Sequence, residues 1–201
     1  PSVCTRRYTV TPITAACVAM GTGTDLPALA DDVTTPLAAL PFAFSFFGDA
    51  VTHYSVSSNG NVQLFASDAG TPSAVYANDP IPRPTAPNGL IAAFWDDLNV
   101  AVGTSTLRSR VTGTAPNRRL VIEWGGWTPF GVPADSLTFQ VWLFENASRI
   151  ELHYCSLTGS ARANGSSATI GLEDLAGTRG VPIAFDTPAA VATGTGYRFV
   201  P

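Results

Sequence analysis

The chain has 201 residues, 45% hydrophobic and only 13% charged, with 15 acidic residues against 11 cations, none of them lysine, and a formal charge of −4. That balance excludes a nucleic-acid partner, because phosphate binding rests on a surplus of cations, and no stretch reaches the roughly eighteen apolar residues of a membrane helix. A domain of this length buries roughly 70% of its unfolded surface, so it stands without a metal or many disulfides.

Abundant Gly, Pro, Val, Thr and aromatic residues favour short strands joined by turns. A chain that starts at Pro1 is expected to be a mature secreted protein or a fragment of one. Cysteines stand at positions 4, 17 and 155. Pairing of Cys4 with Cys17 is expected, since a short bridge of about 3 kcal/mol would tie down a loose terminus. Cys17 with Cys155 is the alternative, and either bridge needs an oxidising compartment.

Residues 1–37 form an N-terminal arm with one strand, Arg7 to Thr11, a small apolar run from Ala15 to Met20 and an Asp- and Thr-rich loop. It has too little apolar mass to fold alone and is expected to pack on the body or on a neighbouring chain. Residues 38–201 form the body. Phe42, Phe44 and Phe46 alternate with small residues and share one strand face. Val51–Val56 and Val62–Phe65 flank Asn59-Gly60, the pair preferred by type I′ hairpin turns.

Residues 66–89 hold five prolines and no periodicity, so they read as a surface crossing. The run Leu90–Trp95, opened by Asn88-Gly89 and closed by Asp96-Asp97, has no side for water and reads as a strand buried on both faces. Further strands follow at 105–112, 119–124, 137–144, 150–154, 168–172 and 196–200, with a Gly-Pro loop over 125–133. About ten to twelve strands at this spacing predict an all-β, two-layer β-sandwich with Greek-key or jelly-roll connections.

Parity sorts the middle strands. Leu120, Ile122, Trp124, Leu137, Phe139, Val141, Leu143, Ile150, Leu152 and Tyr154 face the core. The opposite parity collects Glu123, Gln140, Trp142, Phe144, Glu151 and His153, a face either covered by another segment or offered to a partner.

The ordered set LPFAFSFFG (40–48), YSVSSNGNV (54–62), IAAFWDDL (91–98), VTGTAPNRRLVIEW (111–124), FQVWLFE (139–145) and IELHY (150–154) resembles the nidogen-like extracellular domain. It is most similar to versions found in secreted and surface proteins of myxobacteria and related bacteria. The resemblance covers about 38–174 and the final strand. It implies a secreted, β-rich, non-catalytic module and carries over no catalytic residues. No EGF-like cysteine framework follows and residues 1–37 lie outside the pattern, so animal basement-membrane partners are not implied.

The cluster Asp96, Asp97 and Asn99 could hold Ca²⁺, which takes several carboxylate and amide oxygens, although the EF-hand spacing is absent. Asp31-Asp32 and Asn78-Asp79 are further candidates. The alternative is an Asp96-Asp97 pair in which one carboxylate caps the strand end and the other is solvated. Glu123 and Glu151 share a face but lack a glycosidase signature. His53 and His153 stand in no ligand spacing, and no nucleophile elbow occurs. Trp127, in its Gly-rich loop, is the expected exposed aromatic, and with Trp142 and Phe130 it makes a candidate sugar-stacking set. Asn146-Ala147-Ser148 and Asn164-Gly165-Ser166 are glycosylation sequons or plain turns.

Two functions stay open. One is a non-catalytic extracellular structural or adhesion module, a subunit of a surface assembly that adds its arm strand to a neighbour or to another protein chain. The other is a carbohydrate- or ligand-binding module for surface glycans, assisted by calcium. Both place the protein outside the cell or on its surface.

Overall fold

The computed structural model describes residues 8–27, 30–101 and 103–201. Among these, fourteen strands form two antiparallel sheets. The first sheet runs β1(Thr9–Thr14), β14(Thr195–Val200), β11(Ile150–Thr158), β10(Ser136–Phe144), β9(Arg119–Pro129), β8(Thr106–Thr112) and β2(Thr24–Asp25), with β7(Leu98–Val100) also on β9. The second runs β13(Gly180–Phe185), β12(Thr169–Glu173), β6(Leu90–Trp95), β5(Asn61–Phe65), β4(Asp49–Ser57) and β3(Ala38–Phe46).

The inner faces meet in one core. Phe42, Phe44 and Phe46 enter it from β3, and the predicted inward residues of β9, β10 and β11 enter from the facing sheet. Buried aromatics with polar tips tie the layers together. The Trp124 indole N–H donates to the Ser57 carbonyl at 3.0 Å, and the Tyr154 hydroxyl donates to the Ala93 carbonyl at 2.8 Å.

The central part of each outer face is covered by the chain itself. The arm crosses the first sheet, where Met20 packs with Val121 and Trp142. The Val18 N–H donates to Gln140 Oε1 at 3.2 Å, and Gln140 Nε2 donates back to the Val18 carbonyl at 2.7 Å. The Pro-rich crossing covers the second sheet, where Ile81 joins Leu90, Ala92 and Trp95. Every residue of β6 is therefore buried, as its uninterrupted apolar run requires.

Three strands escape the sequence pattern. β2 and β7 are too short to show periodicity. β13 contains Pro182 and survives because it is an edge strand, where a missing N–H costs no ladder bond. The arm strand expected at Arg7–Thr11, of which Arg7 lies outside the described residues, is observed at Thr9–Thr14, and it pairs with β14 of the same chain. Its Pro12, with Pro182 in β13 and Pro41 in β3, gives each of these three outermost strands a proline. That arrangement blunts edge-to-edge pairing.

The Cys4–Cys17 expectation is corrected: Cys17 is bonded to Cys155, 138 residues away. The arm runs over β11 just beyond β1, which brings residue 17 beside residue 155 with Cα atoms 5.7 Å apart. Cys4 lies outside the described residues.

The 125–133 loop is also corrected, because β9 continues to Pro129. Between Leu137 and Phe139 the register slips, so Leu137 faces Trp127 and Phe139 faces Trp124. The extra residue is absorbed at Gly125-Gly126, where Gly126 takes φ +67°, a conformation open to glycine. Both tryptophans consequently point inward.

Candidate functional site

The chain passes from the second sheet to the first within two residues, between the end of β6 and the start of β7. Asp96 and Asp97 occupy that corner, and their side chains part. Asp96 turns in and is buried. Its Oδ1 accepts the Asp97 N–H at 2.8 Å and Arg162 Nη2 at 3.0 Å, and its Oδ2 accepts the Ser167 hydroxyl at 2.6 Å. Burial raises its pKa, with Ser167, Arg162 and the Asp97 amide opposing. With its oxygens engaged in this way, Asp96 acts as the cap of the strand end.

Asp97 turns outward and meets Asp31 and Asp32 from the arm loop. Ligand oxygens of the three carboxylates lie within 4.8 Å of one another. Burial raises the Asp97 pKa most, and the charges of Asp32, Asp31 and Asp96 raise it further against Arg162. Burial and Asp32 likewise raise Asp31, and the Asp32 amide opposes them. Converging carboxylates are chemically suited to a hard cation, which would relieve the repulsion that raises Asp31 and Asp97. Sequence reading named all three acids but could not join them, because 65 residues separate Asp32 from Asp97. Asn99 does not join them: its Oδ1 accepts the Val100 amide at 2.7 Å. Asn78 and Asp79 are engaged elsewhere, Asn78 with Thr169 and Asp186, and Asp79 with Arg83.

One contributor was missed. Asn59 reads as a turn residue, yet it is fully buried. Its Nδ2 donates to Asp32 Oδ1 at 2.9 Å and to the Ala74 carbonyl at 3.1 Å, while its Oδ1 accepts the Leu98 N–H at 3.0 Å. The β4–β5 connection spans three residues rather than the two of a type I′ turn, with Gly60 at φ +71° packed against the Phe94 carbonyl. That geometry drives Asn59 inward. Only the Asn-Gly pair itself could have drawn attention to it.

The aromatic candidates divide. Trp127 is 0% exposed and donates its indole N–H to the Thr106 carbonyl at 2.8 Å, so its expected exposure is overturned by the extended strand. Trp142 is 4% exposed beneath the arm, with its N–H on Gln140 Oε1 at 2.9 Å. Phe130 is 49% exposed and stands beside the acidic corner, its N–H donating to the Asp97 carbonyl at 2.8 Å.

The remaining candidates are engaged within the fold. Glu151 accepts Arg198 Nε at 2.7 Å and lies 3.1 Å from His153 Nε2. Burial raises its pKa, but these partners and Arg149 outweigh that and leave it lowered. Glu123 shares the Gln140 amide, and burial raises its pKa. Both lie on the arm-covered face. His53 pairs with the Thr52 hydroxyl. Both sequons sit at short 3-10 turns, Asn146–Ser148 and Ala161–Asn164. Among the described residues, no helix is long and apolar enough to cross a membrane.

Comparison with curated proteins and with solved structures finds no match. A family model described as NIDO related matches residues 7–201, which takes in both the body and most of the arm. With the strand motifs, the sandwich and a match over nearly its whole length in agreement, the chain belongs to the NIDO-related family.

Proposed function

We propose that this domain is a non-catalytic structural or adhesive module of an extracellular protein, and that it makes contact through the loop end at Asp31, Asp32, Asp97 and Phe130, with Ca²⁺ in the contact. Family membership and the Cys17–Cys155 bridge support the extracellular setting. The observation that carries the site is the meeting of three carboxylates within 4.8 Å beside an exposed phenylalanine. The coverage of the central part of both outer sheet faces by the chain's own segments favours a loop end over a face.

Donation of the arm strand to a neighbour is not part of this reading. β1 already pairs with β14, and Pro12 blunts its outer edge. A lectin-like contact uses Phe130 alone of the three aromatics, with calcium supplying the grip on sugar hydroxyls. The test is attachment of the immobilised domain to cells and to a glycan panel, with Ca²⁺ and with chelator. Attachment that needs Ca²⁺ and is lost in Asp97→Asn and Phe130→Ala supports the site. Attachment indifferent to all three contradicts it.

A further inference from the structure

Glu173, the last residue of β12, sits at the opposite end of β6 from the acidic corner and is 0% exposed. Its Oε2 accepts the Arg83 N–H at 2.7 Å, and its Oε1 has no hydrogen-bond partner among the described protein groups. The register places Leu90 of β6 and Gly180 of β13 on either side of it, both uncharged. Above it lies the strap of residues 79–88, whose Ile81 packs with Leu90, Ala92 and Trp95.

The strap has no slack. A Cβ at Gly180 would lie 3.0 Å from Pro82, and one at Gly171 would lie 3.0 Å from Ile81 Cδ1. Two charged groups bear on Glu173: Arg83 in the strap and Asp174 on its own strand. The Arg83 guanidinium makes no hydrogen bond to Glu173: it pairs with Asp79, lies over the Trp95 ring at 5.8 Å, and its Nε has no partner among the described protein groups. Asp174 is itself held by Thr178 and Arg179.

A neutral carboxyl tolerates such a layer, whereas an ionised one with a bare oxygen does not. We propose that Glu173 is a proton-operated latch, which when protonated lets the 79–88 strap lie closed on the second sheet and when ionised loosens the strap over Trp95. Burial is the largest cause acting on its carboxyl, followed by the opposing Arg83 amide and charge and the reinforcing Asp174, and the result is a pKa pushed up to about 7. The folded value lies above the unfolded one. The stabilisation is therefore full below the ordinary glutamate range, is lost as pH rises toward 7, and is gone above it. The inference is independent of the loop-end contact and survives its failure.

The test follows the ¹³C carboxyl signal of Glu173, assigned through its own backbone amide, alongside hydrogen exchange of residues 79–88 corrected for intrinsic rates. The wild-type signal is expected to titrate near 7. Strap protection is expected to fall about tenfold or more between about pH 5.5 and about pH 8, and to stay level in Glu173→Gln. A signal titrating in the ordinary carboxylate range, or the same loss of protection in Glu173→Gln, overturns the proposal. Should that variant not fold, the wild-type titration decides alone.

Discussion

The side-chain amide of Asn59 donates to Asp32 at 2.9 Å while its carbonyl oxygen accepts the Leu98 N–H at 3.0 Å, so one buried residue joins the arm loop to the strand that follows Asp97. Asn59→Ala leaves the buried Leu98 N–H without this partner and frees Asp32. The variant is expected to lose about 2 to 4 kcal/mol in urea unfolding, and to bind Ca²⁺ more weakly. Unchanged stability would show that the hub is dispensable.

The aromatic candidates separate by effect. Trp127→Ala and Trp142→Ala each empty a packed site and are expected to cost about 3 to 5 kcal/mol. Phe130→Ala changes an exposed ring, so its cost is expected within about 0.5 kcal/mol, with the loss appearing in ligand attachment. Denaturant unfolding of the three variants side by side makes the comparison. Equal costs would contradict the burial pattern.

The Cys17–Cys155 bridge closes a span of 138 residues. In the chain-entropy account such a loop stabilises by up to about 5 kcal/mol. In a Cys4→Ser background, Cys17→Ala with Cys155→Ala is expected to lower the thermal midpoint and to speed exchange over residues 15–20, while the two sheets remain folded. A midpoint unmoved by the double substitution or by reductant would contradict an anchoring role.

Asp174 and Glu173 are adjacent yet shift in opposite directions. Burial raises Asp174, but hydrogen bonds from Arg179 and Thr178 and the Arg179 charge outweigh it, so its pKa is lowered. Its contribution is present above the ordinary aspartate range and lost as pH falls through the folded value. Asp174→Asn is expected to cost about 2 to 3 kcal/mol at neutral pH, and the gap from wild type should close on acidification. Urea unfolding across pH checks this, and a gap that widens in acid would reverse the assignment.

The alternation in β3, β9, β10 and β11 made the two-layer core legible in the sequence, because period-2 patterning directly encodes which face is buried. The unbroken run of β6 likewise announced a strand covered on both sides. What escaped reading depended on distant placement. Trp127 turned inward because a bulge at Gly125-Gly126 changed its parity. Cys17 met Cys155 because the arm crosses β11, a path that local sequence does not encode. Asp97 pointed to the acidic corner, but its partners Asp31 and Asp32 lie in the arm, where no strand pattern ties them to residue 97.

Calcium titration of the wild-type domain and of Asp97→Asn, followed by calorimetry and thermal midpoint, tests the loop-end assignment most directly. Extracellular modules bind with Kd of about 10⁻⁴ to 10⁻³ M, and at a hundredfold excess over Kd a bound ion stabilises by about 2.7 kcal/mol. The account predicts one binding event and a raised midpoint in wild type, both lost in Asp97→Asn. No heat and no shift at Ca²⁺ well above that Kd range, or the same shift in both proteins, would contradict it.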